Sequence, residues 1–229
     1  MLLGVGSWQW LGVGSWQWLG VGSWQWLSVG SWKSGIDKVR VIVGITGATG
    51  TLYGVRLLER LRELDVETHL VISRWGARTL AHETPHSREH IESLATAVYA
   101  PGDMGAVISS GSFKTDGMII APCSAKTLAA IAHGFGDNLI HRAADVILKE
   151  RRRLLLAVRE APLSEIHLEN MLKLSRMGAV ILPPVPAFYN HPRTIDDVVD
   201  HTVARMLDAF GLEVRGAVRW AGDMNVHED

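Results

Sequence analysis

The sequence predicts an α/β fold in which a mostly parallel sheet carries helices on both faces. Two observations support this. From residue 39 onward, short runs rich in Val, Ile and Leu alternate with amphipathic segments of helical period, the pattern of strands buried on both faces and joined by crossover helices. Turns rich in glycine or hydroxyl side chains follow those runs directly, at GATG (47–50) and CSAKT (123–127). The composition agrees. A chain of 229 residues with 47% hydrophobic content and a formal charge of −1 suits one globular domain, and at this size a domain buries roughly 70% of the surface its unfolded chain exposes.

The elements follow in order. VRVIVGI (39–45) reads as a buried strand, and LYGVRLLERLREL (52–64) as a helix with Val55, Leu58 and Leu61 on one face. VETHLVIS (66–73) is a second strand, followed by a helix around Gly76 to His82 and a polar stretch rich in Glu and His over 83–92. GMIIAPC (117–123) is the third strand, and SAKTLAAIAHG opens a helix directly after it. NLIHRAADVILKERR (138–152) has helical period with Ala143, Val146 and Ile147 inward. LLLAVRE (154–160) is a fourth strand, LENMLKLSRMG (168–178) a helix stopped by Gly178, and AVILPP (179–184) a fifth strand. The last helix starts at Thr194 as its cap and ends at Gly211.

Residues 1–34 are different material. LGVGSWQW occurs at 3–10, 11–18 and 19–26, with a degenerate copy at 27–34, and seven of the nine tryptophans lie there. Gly, Ser and Gln interrupt the apolar residues too often for a span of about 20 apolar residues, so no membrane span is expected. The absence of a basic start and of a small-residue cleavage site predicts no signal peptide, and the chain is expected in the cytoplasm. An even repeat returns each copy to the same strand face, which permits β-pairing. We read the segment as a repeat expansion or over-extended start outside the fold, leaving 35–229 as one domain.

Several function classes are disfavoured. Cys123 is the only cysteine and forms no internal disulfide; the ten histidines show no recognisable metal-ligand spacing. Balanced charge argues against a nucleic-acid partner. In open parallel sheets ligands bind beyond the carboxyl ends of the strands, which here offer Gly47, Ala48, Thr49, Ser73, Ser124, Ala125, Lys126, Thr127, Arg159, Glu160 and the segment 184–189. Glycines, hydroxyls and cations together suit a phosphorylated ligand. A dinucleotide site is disfavoured, because the glycines depart from GxGxxG and the second strand ends in Ser73 rather than an acid. Taken alone, the first turn reads equally as a tight strand-to-helix connection, and Ser124 as a helix cap.

GITGATG with YGVRLL, VETHLVISRWGARTLAHET, SSGSFKTDGMIIAPCSAKTL, NLIHRAADVILKERR and VREAPLSEIHLENMLKLSRMGAVILPPVPAFYNHP together resemble the UbiX-type flavin prenyltransferases over about residues 39–220. The nearest branch is the one associated with hydroxyaryl and phenolic acid decarboxylase operons, formerly described as a decarboxylase subunit. The resemblance implies a three-layer Rossmann-like flavoprotein fold and a metal-independent transfer of a dimethylallyl group from dimethylallyl monophosphate to reduced FMN, at N5 and then C6. The resemblance further implies that the product serves a UbiD-type decarboxylase. It implies FMN contacts from Gly47, Ala48, Thr49, Ser73, Ser124 to Thr127 and Arg159, and a prenyl phosphate grip from Lys149, Tyr189 and Arg205 with Arg142. It also implies active-site acids at Glu160 and Glu83, and a homododecamer with sites between subunits.

The chemistry fits those residue types. Ionising an allylic phosphate leaves a dianion, stabilised by donors placed where its charge accumulates; the allylic cation needs an aromatic wall, for which Trp220 is a candidate. Proton loss from C6 needs a base, Glu160 or the released phosphate. Bland roles compete: Lys149 as an i,i+4 partner of Asp145, Arg205 as a solvated helix residue, Tyr189 as loop packing, Glu83 as a helix-end acid. Two positions depart from the family pattern, Thr49 where serine is common and Arg153 where proline is. The rival functions are an FMN-dependent decarboxylase of the phosphopantothenoylcysteine type, whose PxMNxxMW-like segment is replaced here by PPVPAFYNHP, and a non-catalytic flavin-binding decarboxylase subunit.

Overall fold

The computed structural model describes residues 14–18, 24–28, 38–220 and 222, so most of the repeat lies outside the described residues. Residues Met1–Asp37 and Lys38–Asp229 form separate compact units. In the first, β1 (Gly14–Trp18) pairs antiparallel with β2 (Trp24–Ser28), with Trp16 opposite Trp26 and Trp18 opposite Trp24.

The second unit alternates strand and helix. Its strands are β3 (Arg40–Ile45), β4 (Glu67–Ile72), β5 (Ala97–Tyr99), β6 (Gly117–Cys123), β7 (Arg153–Val158) and β8 (Val180–Ile181), and its helices are α1 (Thr51–Glu63), α2 (Arg74–Glu83), α3 (Arg88–Ser93), α4 (Ala125–Ala132), α5 (Leu139–Lys149), α6 (Glu165–Arg176) and α7 (Ile195–Asp208). The strands make one sheet in the order β5-β4-β3-β6-β7-β8, with every pairing parallel.

Strands β3, β4, β6 and β7 each feed two cores because successive side chains point to opposite faces. Val41, Val43 and Ile45 of β3 pack with Leu57, Leu58 and Leu61 of α1 and with Val203 and Met206 of α7. Ile42 packs on the other side with Leu128 of α4 and Ile140, Ala143 and Ile147 of α5. Each fully buried leucine or isoleucine contributes roughly 1.5–3 kcal/mol. α7 is also tied to α1 by charge: Arg56 reaches Asp196 at 2.8 Å and Asp200 at 2.7 Å, and Arg60 reaches Asp200 at 3.0 Å.

Two elements were not expected, β5 and α3, and β8 is shorter than the run AVILPP suggests. Pro183 and Pro184 have no N–H to donate to a ladder, so the strand stops before them.

Candidate active site

β3 and β6 lie side by side, but the helix after β3 leads to β4 on one side and the helices after β6 lead to β7 on the other. Such a reversal opens a crevice beyond the strand ends. Here it is a cleft of about 540 Å³, lined by Thr46 and Gly47 after β3, Ser73 and Trp75 after β4, Ser124, Lys126 and Thr127 after β6, and Asp137, Asn138 and His141 facing them. Five residues expected from strand ends, Gly47, Ser73, Ser124, Lys126 and Thr127, therefore converge on one cavity. Ala48 and Ala125 are half-buried in the same turns, and Thr49 is exposed.

The turns are built to approach closely. A Cβ on Gly47 would sit 2.5 Å from Trp75 Cβ, so only glycine fits between the first turn and α2. Gly50 takes φ +90 at the N-cap of α1, a left-handed conformation that glycine adopts without steric cost. Ser73 Oγ accepts from Gly76 N–H at 2.9 Å, and Ser124 Oγ accepts from Thr127 N–H at 3.3 Å; both hydroxyls cap helices that open onto the cleft. Lys126 is exposed, 3.7 Å from Asp137. His141 is buried with Nδ1 at 2.6 Å from Asp137; burial pulls its pKa down, while the Asp137 carboxylate pushes the other way.

Arg159 and Glu160 follow β7. Arg159 N–H donates to Cys123 O at 3.0 Å, while its guanidinium is exposed and has no hydrogen-bonding partner among the described residues. Glu160 is half-buried and accepts one hydrogen bond, from Ala161 N–H at 3.1 Å. Cys123 is fully buried, and burial pushes its thiol pKa up, which suits packing rather than nucleophilic chemistry.

Glu83 is placed elsewhere. Its carboxylate caps α1, accepting from Gly50 N–H at 2.9 Å, Thr51 N–H at 2.8 Å and Thr51 Oγ1 at 2.7 Å. Burial raises its pKa, but these bonds and one from the Thr49 hydroxyl outweigh it and hold the carboxyl below its ordinary value.

The expected phosphate-gripping residues form two further groups. α5 leaves the cleft at Asn138, whose side chain accepts from His141 N–H at 3.1 Å, and at 1.5 Å per residue its length carries Lys149 about 16 Å away, to the opposite end of the sheet. There Lys149 pairs with Glu150, and Gly111 packs so closely that a Cβ would lie 2.7 Å from Lys149 Nζ. Asp145 is held by Arg142 at 2.8 Å instead of by Lys149, and Arg142 Nε also donates to Ser109 O at 3.1 Å. Tyr189 has its hydroxyl 3.4 Å from His201 Nε2 and its ring edge-on to Trp220 at 5.6 Å. Arg205 lies one turn beyond His201 and contacts Asp208 at 3.2 Å. One chain thus assembles the cleft but does not bring Lys149 to it.

The strand-end rule does not single out Thr46, Trp75, Asp137, Asn138 or His141. The Asp–Asn pair before a helical run is a capping signal, the one sequence cue to that wall. Among the described residues no three His, Cys, Asp or Glu side chains converge as metal ligands, and no helix is long and apolar enough to cross a membrane.

The Flavoprotein family model matches residues 30–207. A probable UbiX-like flavin prenyltransferase of Streptomyces sp. (strain D7) is 60% identical over 185 residues, 80% of this chain and 92% of that one. The chain belongs to the UbiX-like flavin prenyltransferases. Two solved structures are similar throughout. AnUbiX (PadA1) in complex with FMN and dimethylallyl pyrophosphate shares 54% identity at TM-score 0.81, covering 82% of this chain and 100% of that one. The dodecameric FMN-dependent UbiX-like decarboxylase from Escherichia coli O157:H7 shares 59% at TM-score 0.79, covering 80% and 100%.

The cleft of this flavin prenyltransferase fits FMN on its own terms. Helices α2 and α4 start at its rim, with Ser73, Arg74, Ser124 and Lys126 in its lining, where the helix dipoles favour an anion. Glycine at 47 lets the first turn pack against Trp75, and the Arg159 guanidinium, at the end of β7, has no hydrogen-bonding partner among the described residues.

Proposed function

We propose that the protein transfers a dimethylallyl group from dimethylallyl monophosphate to reduced FMN, yielding prenylated FMN for a UbiD-type decarboxylase. The observation that carries this reading is the convergence of three donor-rich turns at the β3/β6 crevice. FMN is held by Gly47, Ala48, Thr49, Ser73, Ser124 to Thr127 and Arg159. When bound and reduced it supplies the nucleophilic ring positions.

The chain's own residues supply the rest. Lys149, Tyr189 and Arg205, with Arg142, hold the phosphate and neutralise the charge that grows on it as the allylic C–O bond breaks. Trp220, edge-on to Tyr189, gives the allylic cation an aromatic wall. Glu160 takes the ring proton: with one hydrogen bond accepted, its carboxylate keeps lone pairs free. Glu83 acts through the first turn, whose Gly50 and Thr51 it holds.

Because α5 separates Lys149 from the cleft of its own chain, a complete site draws on neighbouring copies. We assign a homododecamer, the assembly described for the Escherichia coli O157:H7 relative. The cytoplasm is the expected compartment. Phosphate release from dimethylallyl monophosphate tests the reading: it should require reduced FMN and scale with it, and release that ignores the flavin, or none at all, overturns the proposal.

A further inference from the structure

We propose that Thr46 is a positioning residue that locks the two flavin-facing turns together across the β3/β6 crevice. The inference rests on the cleft being the FMN site and adds a residue to it. In a parallel pair, hydrogen bonds are evenly spaced along both strands, but proline has no N–H to donate, so the regular ladder does not run on through Pro122. The regular β3–β6 register ends at Gly44 opposite Ile120, and β6 shifts register against β7 between Ile120 and Cys123. Thr46 bridges the gap. Its Oγ1 donates to Pro122 O at 2.7 Å and accepts from Ser124 N–H at 2.8 Å, while its own N–H reaches Pro122 O at 3.3 Å.

Thr46 is 1% exposed, and a lost hydroxyl leaves the half-buried Ser124 N–H without this partner and Pro122 O with only the longer bond from Thr46 N–H. Its neighbours in sequence are what the bond aligns. Gly47 follows Thr46 directly, and Ser124 is the cap whose Oγ holds Thr127. A single hydroxyl therefore fixes the spacing between the first turn and the start of α4, the two sides of the cleft that must close on one ligand.

The test compares Thr46→Val and Thr46→Ser with the wild-type chain. FMN dissociation constants are read from flavin fluorescence, kcat and KM for FMN from prenyl transfer, and unfolding midpoints from the FMN-free proteins. Thr46→Val should weaken FMN binding about ten-fold and raise KM for FMN in parallel, with kcat at saturating FMN within about two-fold. Thr46→Ser should restore both values. If the valine variant does not fold, Thr46→Ala takes its place. A lowered unfolding midpoint with an unchanged FMN dissociation constant and KM makes Thr46 merely structural and overturns the proposal. Failure of serine to rescue also overturns it. Wild-type protein that binds no FMN overturns the functional reading and this inference with it, an outcome distinct from the other two.

Discussion

Replacing Gly47 by alanine isolates the close approach on which the cleft depends. Gly47 is not in the left-handed region, so the substitution carries a steric cost without a conformational one. The new Cβ would lie 2.5 Å from Trp75 Cβ and 3.3 Å from the Trp75 carbonyl carbon, whereas carbon atoms in contact prefer about 3.5–4.0 Å. Neither neighbour is the far end of a flexible side chain, so the turn and the start of α2 must separate by roughly 1 Å. Overpacking of this kind costs about 1–3 kcal/mol, which for a domain of this size lowers Tm by roughly 2–4 °C per kcal/mol. The same separation moves Gly47 away from Ser73, so FMN affinity should fall together with Tm. Thermal unfolding of FMN-free protein and fluorescence titration with FMN measure the two effects. Because the clash is with the Trp75 Cβ, Trp75→Gly should relieve it and Trp75→Ala should not, giving a coupling of about 0.5–3 kcal/mol in the glycine pair alone. A Gly47→Ala protein with wild-type stability, or equal rescue by both Trp75 variants, refutes the reasoning.

Three further outcomes are expected. Glu83→Ala removes the cap on α1 and should cost about 1–2 kcal/mol of unfolding free energy, with Glu83→Gln costing less; loss of turnover in the glutamine variant at unchanged stability and FMN affinity would instead put Glu83 in the chemistry. Glu67 has its pKa lowered to about 2, chiefly by its hydrogen bond from Arg40 and despite the opposing effect of burial, with His69 assisting. A depressed folded pKa contributes stability above the unfolded value, about 4.3, and that contribution disappears as pH falls from there toward 2; denaturation curves of Glu67→Gln should be flatter over that window, and an unchanged slope contradicts the pairing. Glu160→Gln should still bind FMN and release phosphate but form finished product slowly, as followed by product absorbance; normal turnover removes Glu160 as the base.

Much of the fold was legible because it lies in runs with a clear period. The buried triad Val55, Leu58 and Leu61 and the Thr194 cap stand where periodicity and capping rules put them. β5 was not legible: three partly exposed residues at a sheet edge leave no apolar run to read. α3 was hidden because six residues within a polar stretch bury only Ile91. α5 stops at Lys149 rather than continuing through the arginines, since Arg151 takes φ +56, outside helical space.

For the site, the strand-end rule pointed to Gly47, Ser73, Ser124 and Thr127, which line the cleft because topology places those strand ends together. It did not show what the Thr46 hydroxyl does, because that role arises from contacts to Pro122 O and Ser124 N–H at the end of the neighbouring strand. Nor could spacing show that Asp145 pairs with Arg142, that Lys149 pairs with Glu150, or that Glu83 caps a helix 32 residues earlier in the chain. Those depend on contacts between elements, which local pattern does not encode.

The central claim is that this cleft presents reduced FMN to a prenyl donor. Anaerobic incubation of the full chain with reduced FMN and dimethylallyl monophosphate, followed by mass analysis of the released flavin, tests it most directly. The account predicts a flavin heavier by one isoprene unit; unmodified FMN recovered from folded, flavin-loaded protein would contradict it.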